Sequence, residues 1–124
     1  MTKRAVLLTL SALAVATLQT GCGDKAVTYQ ADIKPIIEAN CIECHVPGGK
    51  GYVKSGLLMD SYENLMKGTK FGAVVVPGSS VSSTLYRLVS GQADPSIRMP
   101  HGGGELSDAD VATIAAWIDQ GAKN

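Results

Sequence analysis

Large aromatic side chains are scarce in this sequence. It has one phenylalanine, one tryptophan and four tyrosines in 124 residues, although its apolar fraction of 45% is ordinary for a globular protein. A core built from the polypeptide alone would therefore be short of large fillers. Because compact domains usually have about 100–150 residues, we expect a single domain.

The sequence also lacks an excess of charge of either sign. Eleven lysines and arginines balance eleven aspartates and glutamates, so the formal net charge is zero. Proteins that bind nucleic acid through its phosphates depend on basic residues. The balance therefore argues against a nucleic-acid partner.

Cysteine is rare, and its number is odd. The three cysteines are Cys22, Cys41 and Cys44, so they cannot all pair in disulfides within one chain. Their positions indicate other uses, one for Cys22 and another for the remaining two.

Residues 1–21 are typical of a bacterial signal peptide. Lys3 and Arg4 form a positive start, and the stretch from Ala5 to Leu18 is mostly apolar. This stretch is too short to span a bilayer, which takes about 20 residues. We therefore predict export, with the signal peptide removed from the mature protein.

Residues 18–22, Leu-Gln-Thr-Gly-Cys, resemble the bacterial lipobox, in which the cysteine is acylated and becomes the mature N-terminus. Gly21 and Cys22 fit this pattern, whereas Gln19 stands where most lipoboxes have an aliphatic residue. We expect lipid attachment at Cys22, and the alternative is simple secretion with a free or dimerising Cys22. A lipid would hold the protein on a membrane, since each buried methylene contributes about 0.8 kcal/mol. The predicted organisation is a signal peptide (1–21), a tether (22–28) and one domain (29–122).

Residues 41–45, Cys-Ile-Glu-Cys-His, match the C-x-x-C-H motif that attaches c-type haem. On one helical turn, Cys41 and Cys44 can form thioether bonds to the two vinyl groups, and His45 can then serve as an axial iron ligand. The other ring nitrogen of His45 needs a hydrogen-bond acceptor to orient it, for which we expect a carbonyl near Pro47.

The same cysteines allow two other interpretations. A thioredoxin-like site would need a βαβ setting with its first cysteine at a helix N-terminus, whereas a predicted helix precedes Cys41. A zinc site could use Cys41, Cys44, His45 and His101. Structural zinc sites, however, usually separate the members of each ligand pair by about two to four residues, and two of these ligands are adjacent.

Four short helices are predicted from the spacing of apolar residues and from capping residues. Their predicted bounds are Asp32 to Cys41, Ser61 to Gly68, about Val81 to Gly91, and Ser107 to Gly121. Asp32 is the expected N-cap of the first helix, with Pro35 in its first turn. Either Ser79 or Ser80 is the expected N-cap of the third. Residues 47–51, rich in glycine, predict a loop.

An iron atom with one histidine ligand has a second axial position, which methionine or histidine can fill or which can stay open. Met59 and Met66 fall in apolar segments typical of a core. Met99 lies in the irregular stretch 98–104, Arg-Met-Pro-His-Gly-Gly-Gly, where no apolar stripe accounts for it. We therefore expect Met99 to be the second ligand, which would raise the reduction potential relative to two histidines. Plain packing of Met99 and ligation by His101 are the alternatives.

Together these segments resemble the class I c-type cytochromes, and more narrowly the small cytochrome c domain described from planctomycetes. The likeness covers about Tyr29 to Ala122, and the segments that carry it are 32–41, 56–61, 65–68, 76–78, 83–86, 99–100, 106–111 and 117–122. The resemblance implies an all-α fold of short helices and long loops around one covalent haem c. It also implies that the helices before Cys41 and after Ser107 pack together, and that His45 and Met99 are the axial ligands.

The resulting functional expectation is a single-haem electron carrier, tethered to a membrane and facing the periplasm of a bacterial cell envelope. Iron would cycle between Fe(III) and Fe(II), and no small-molecule substrate is expected. Redox partner proteins would dock transiently at a surface rimmed by Lys50, Lys54, Lys67 or Lys70. The alternatives are a haem-based sensor and a docking subunit of a larger periplasmic redox enzyme. A small peroxidase would need an open iron position and His101 as an acid or base. A porphyrin would also supply the large apolar filler that the aromatic side chains do not.

Overall fold

The computed structural model describes residues 25–102 and 104–124. The predicted signal peptide and Cys22 lie outside these residues. The described part of the chain is helical, and its β-pairing consists of one isolated bridge between Thr69 and Gly72. The helices are α1 (Lys34–Asn40), α2 (Lys50–Ser55), α3 (Tyr62–Lys67), α4 (Thr84–Val89) and α5 (Asp108–Asp119). A π-helical turn (Tyr29–Ile33) leads into α1, and a 3-10 turn (Pro95–Ile97) precedes the Met99 stretch. The all-α prediction is confirmed.

The first helical segment begins earlier than predicted. Thr28 is its N-cap, with Oγ1 accepting a hydrogen bond from the Ala31 amide at 3.3 Å. Asp32 lies inside the π-helical turn, and its carboxylate accepts a hydrogen bond from the Thr28 amide at 3.0 Å. Asp32 is therefore not the N-cap but the second half of a reciprocal cap. Pro35 does fall in the first turn of α1, as predicted.

Helix α2 occupies residues that the sequence assigned in part to a loop. Its first amides are capped by a backbone group, because the Cys44 carbonyl accepts from the Gly51 amide at 2.9 Å and from the Tyr52 amide at 3.0 Å. No capping side chain marks this helix start. The helix ends at Gly56, which has a left-handed φ of 76°.

Helix α4 begins at Thr84 rather than near Val81, and its N-cap is Ser83. The expected cap Ser80 is engaged elsewhere, since its amide and hydroxyl donate to the Asp119 carboxylate at 2.7 and 3.0 Å. The Ser83 hydroxyl donates to the Ser79 carbonyl at 2.9 Å. These bonds fold residues 79–83 into turns, so the helix starts only after them.

The last helix follows the sequence prediction closely. The Ser107 hydroxyl oxygen accepts a hydrogen bond from the Asp110 amide at 3.1 Å, and the hydroxyl donates to the Asp110 carboxylate at 2.8 Å. This is the expected variant of the capping box. After the helix, Gly121 adopts a φ of 100°, which few other residues tolerate.

The centre of the core is an aromatic cluster that joins the two ends of the domain. The Tyr29 ring lies 5.5 Å from the Tyr62 ring and 6.2 Å from the Trp117 ring, measured between centroids. Trp117 is fully buried, and its indole N–H donates to the Lys123 carbonyl at 2.7 Å. The Tyr62 hydroxyl donates to the Ala122 carbonyl at 3.0 Å. Half of the aromatic residues therefore pack the helical segments before the C-x-x-C-H motif against α5.

Gln120 holds the chain just before this cluster. Its side-chain carbonyl accepts from the Val27 amide at 2.8 Å, and its side-chain amide donates to the Lys25 carbonyl at 3.2 Å. The described end of the predicted tether therefore contacts the C-terminal end of α5.

Candidate haem-binding site

Cys41, Cys44 and His45 are brought together on one turn that follows α1. Cys41 is the C-cap of α1, with its amide donating to the Ile37 carbonyl at 2.8 Å. The Cys41 carbonyl then accepts from the Cys44 amide at 3.2 Å and from the His45 amide at 3.1 Å. Both thiols are free, with Cys41 half-buried against the core and Cys44 exposed. The turn thus carries two free thiols and, next to the second in the chain, a histidine.

The Cys41 thiol is in a setting that favours its neutral form. Burial, with a smaller contribution from the neighbouring Cys44, raises the pKa of Cys41 from 9.0 to about 11. The residue also stands at the C-terminal end of a helix, where the helix dipole disfavours a thiolate. An activated thioredoxin-type cysteine requires the opposite, a helix N-terminus and a lowered pKa. The geometry therefore speaks against the thioredoxin-like alternative.

The His45 side chain is buried, with 8% of its surface exposed. Its Nδ1 lies 3.3 Å from the Leu57 carbonyl oxygen. Because a carbonyl only accepts, this contact requires the proton on Nδ1 and leaves Nε2 with a free lone pair. The expected acceptor near Pro47 is a wrong prediction, since Leu57 takes that role. The His45 carbonyl accepts from the Met59 amide at 2.9 Å, which ties the segment after α2 to the motif.

Gly51 lies against the His45 imidazole. A Cβ atom at position 51 would fall 2.7 to 2.9 Å from three ring atoms of His45, closer than real Cβ contacts come. The Gly51 carbonyl in turn accepts a hydrogen bond from the Ser55 hydroxyl at 2.7 Å, and the Ser55 Oγ accepts from the Leu57 amide at 3.1 Å. Helix α2 and the residues after it therefore fix the ring on one face and at Nδ1.

These three positioning residues were not predicted from the sequence. Gly51 and Ser55 stand at i and i+4 of α2, and Leu57 follows the C-cap Gly56. Gly56, the glycine that ends α2, was the available signal for this helix, but no capping side chain marks where the helix begins.

Met99 is on a separate segment. It is half-buried against the core, and its amide donates to the Leu88 carbonyl at 3.2 Å. It lines a cavity of about 210 Å³ together with Arg98 and the exposed His101, and no residue of the C-x-x-C-H motif lines that cavity. Met59 and Met66 pack in or against the core, as predicted.

Arg98, next to Met99, is tightly held. Its Nη1 lies 2.6 Å from a Glu105 carboxylate oxygen, and its guanidinium fills the space where a side chain at Gly91 would stand. This ion pair joins the first residue of the stretch 98–104, which contains Met99, to the residue directly after that stretch.

Across residues 25–102 and 104–124, no three or more histidine, cysteine, aspartate or glutamate side chains form a group that could hold a metal ion. In this part of the chain, no such group supports the zinc alternative. No helix of the described residues is long and apolar enough to cross a membrane.

The donor set fits haem c. Two free thiols three residues apart suit thioether formation, and a buried imidazole with a committed Nδ1 offers Nε2 to a metal. A helical fold with this motif after its first helix defines a c-type cytochrome.

Comparison with known proteins supports this class and narrows it. Residues 41–103 match the model of the planctomycete cytochrome c family, and the chain belongs to that family. The cytochrome c6 of Picosynechococcus sp. is 31% identical over 119 residues, which cover 93% of this chain and 95% of the relative. The cytochrome c6 of a Synechococcus sp. is 31% identical over 120 residues, with 95% of each chain covered. No solved structure matches the chain. The protein is therefore an electron-transfer protein with covalently bound haem c, and not an enzyme.

Proposed function

We propose that the protein carries electrons at the periplasmic surface of a bacterial envelope membrane. In this proposal, a lipid on Cys22 tethers the protein to that membrane. In this proposal Cys41 and Cys44 hold the haem, and His45 and Met99 are the axial ligands. The observation that carries it is the buried His45 ring, whose Nδ1 is engaged by the Leu57 carbonyl at 3.3 Å. A ring so fixed can offer only Nε2 to iron.

Haem c supplies a one-electron Fe(III)/Fe(II) couple when bound. The residues around it have positioning tasks. The Leu57 carbonyl sets the tautomer and direction of His45, and the hydrogen bond makes the imidazole a more basic ligand. Gly51 lets the backbone of α2 approach the ring, which keeps water from that face. Burial of Cys41 protects its sulfur on the core side.

The assignment of Met99 rests on its setting. Met99 lies half-buried on an irregular stretch, whereas Met59 is fully within the core and Met66 belongs to α3. The backbone hydrogen bond from Met99 to Leu88 and the side-chain ion pair between Arg98 and Glu105 hold the stretch in place.

The spectrum of the oxidised protein tests this assignment. A weak long-wavelength sulfur-to-iron band is expected, and Met99→Ala should abolish the band and lower the reduction potential. Met66→Ala is the matched control, because it removes a half-buried methionine that packs on the core and should leave the band in place. An unchanged band in Met99→Ala would refute the ligand assignment. A high-spin spectrum of the unaltered protein would favour the sensor alternative.

The tether is tested separately. Support for it comes from the signal-peptide pattern and the lipobox-like residues before Cys22. Intact-mass measurement of the mature protein should show an N-terminal acylated Cys22, and Cys22→Ala should release the haem protein from the membrane fraction. A mature mass without Cys22 would end the lipoprotein proposal and leave electron carriage standing.

A further inference from the structure

A short turn projects one aromatic ring into solvent. The Phe71 side chain is 81% exposed, more than any other large apolar residue of the described chain. The turn is well fixed, since Thr69 and Gly72 form a bridge and the Phe71 amide donates to the Thr69 hydroxyl oxygen at 3.0 Å. At Gly68, any Cβ would lie 2.5 Å from the Gly72 carbonyl oxygen, so the backbone is closely packed there. Phe71 is therefore held outward by a rigid base.

Three lysines lie on this turn and in the last turns of α2 and α3. The Lys70 ammonium lies 5.2 Å from the ring centroid, within cation–π range. Lys67 ends α3 just before the turn, and Lys54 precedes Ser55, whose carbonyl accepts from the Lys70 amide at 3.0 Å. Within residues 25–102 and 104–124, none of these three lysines takes part in a salt bridge. We call Lys54, Lys67, Lys70 and Phe71 the Phe71 patch.

The charge of the patch contrasts with that of the segment around α5. That segment carries acidic side chains and no basic ones. Glu105 is paired with Arg98, and the other acidic members are Asp108, Asp110 and Asp119. An acidic protein would therefore be attracted to the patch and repelled by the segment around α5.

Three hydrogen bonds lead from the patch to His45. The Lys70 amide donates to the Ser55 carbonyl at 3.0 Å, and the Leu57 amide donates to the Ser55 hydroxyl oxygen at 3.1 Å. The His45 Nδ1 then faces the Leu57 carbonyl at 3.3 Å. The exposed turn is thus connected through two residues to the imidazole of the candidate axial ligand.

We propose that the Phe71 patch is the docking site for an acidic electron-transfer protein, with Phe71 as the apolar anchor and the lysines as its cationic rim. One electron passes from the reduced partner to the oxidised cytochrome, or back, on the His45 side. The inference rests on the proposed role of His45 as an axial ligand. Three lysines and one ring would attach only weakly to a bilayer. They suit a small, transient protein contact.

The experiment measures electron transfer to the oxidised holo-protein, in a soluble form in which Cys22→Ser prevents acylation. The probe is a reduced flavodoxin, a small acidic protein, mixed by stopped flow at low and high salt. Lys70→Glu should slow the second-order rate roughly tenfold at low salt, with the difference shrinking as salt rises. Phe71→Ala should slow it several-fold with little change in salt dependence.

Matched controls separate docking from damage to the haem site. Val81→Ala removes another exposed apolar side chain (69% exposed), and Lys123→Glu reverses another exposed charge. Both should react with flavodoxin at the rate of the unaltered protein. All forms should be reduced at equal rates by a neutral hydroquinone, which needs no docking surface.

Equal flavodoxin rates for Phe71→Ala, Lys70→Glu and the unaltered protein would overturn the docking proposal while electron carriage stands. Failure of the unaltered protein to accept electrons from either reductant would overturn electron carriage itself. Vesicles of phosphatidylglycerol and phosphatidylcholine test the remaining alternative. If Phe71→Ala abolishes vesicle binding but leaves the flavodoxin rate unchanged, the patch is a membrane contact and the proposal is wrong.

Discussion

The carbonyl oxygen of Leu57 lies 3.3 Å from Nδ1 of His45, which belongs to a turn twelve residues earlier in the chain. Between them, α2 packs Gly51 on the imidazole and Ser55 under the Leu57 amide. The ring orientation of His45 and its free nitrogen, Nε2, are thus set by residues outside the C-x-x-C-H motif.

Gly51→Ala should destabilise the protein, although alanine is the better helix former by about 1 kcal/mol. The added Cβ would stand 2.7 to 2.9 Å from the His45 ring, so the ring or the helix must move. We expect a loss of about 1–3 kcal/mol in the free energy of unfolding and a shifted absorption spectrum. Gly104→Ala is the control, because its Cβ would meet nothing within 4 Å. A more stable Gly51→Ala protein would show that helix propensity outweighs the contact.

Ser55→Ala removes two hydrogen bonds, the one donated to the Gly51 carbonyl and the one accepted from the Leu57 amide. The expected cost is about 1–2 kcal/mol in denaturant unfolding. The Leu57 carbonyl would be held less firmly, so the reduction potential should change as well. Ser55→Thr keeps the hydroxyl and should restore the potential. If Ser55→Ala is destabilised but its potential stays the same, Ser55 supports α2 and does not position His45.

Acid should weaken the start of the domain through Asp32. The hydrogen bond from the Thr28 amide, and then that from Lys25, lowers the pKa of Asp32 below its ordinary 3.8. Because the folded pKa is the lower one, this stabilisation is present above pH 3.8 and is lost as pH falls through the folded value. Unfolding measured from pH 6 to 2 should show a smaller acid loss in Asp32→Asn. Glu43→Gln, an exposed control, should follow the unaltered protein.

Loss of the attachment cysteines should leave a poorly folded chain. Three of the aromatic residues form the cluster of Tyr29, Tyr62 and Trp117, so few large side chains remain to fill space near the motif. We expect the double variant Cys41→Ala, Cys44→Ala to lose its cooperative thermal transition, as followed by circular dichroism. A sharp transition without haem would show that the polypeptide packs a complete core by itself.

How well the sequence predicted each feature depended on how local its cause is. The C-x-x-C-H turn and the Ser107 cap are set by neighbours within a few residues, and both were predicted. The N-terminus of helix α2 is capped by the Cys44 backbone carbonyl. Because every residue has a backbone carbonyl, no residue type in the sequence predicts this cap. The same holds for Leu57 as the partner of His45. Such backbone contacts depend on the folded path of the chain and leave no compositional signal.

The two hydrogen bonds of the Gln120 side chain, to Val27 and to Lys25, limit how far the domain of a lipid-bound form could move from the membrane surface. Only Gly23 and Asp24 separate Cys22 from Lys25, and an extended chain covers at most about 3.5 Å per residue, so a lipid on Cys22 would be attached within about 10 Å of Lys25. A cytochrome on so short a tether could not diffuse across the periplasm to carry electrons between two membranes. It would stay at one membrane surface, with the C-terminal end of α5 near the lipid, and its donor and acceptor would have to come to that membrane.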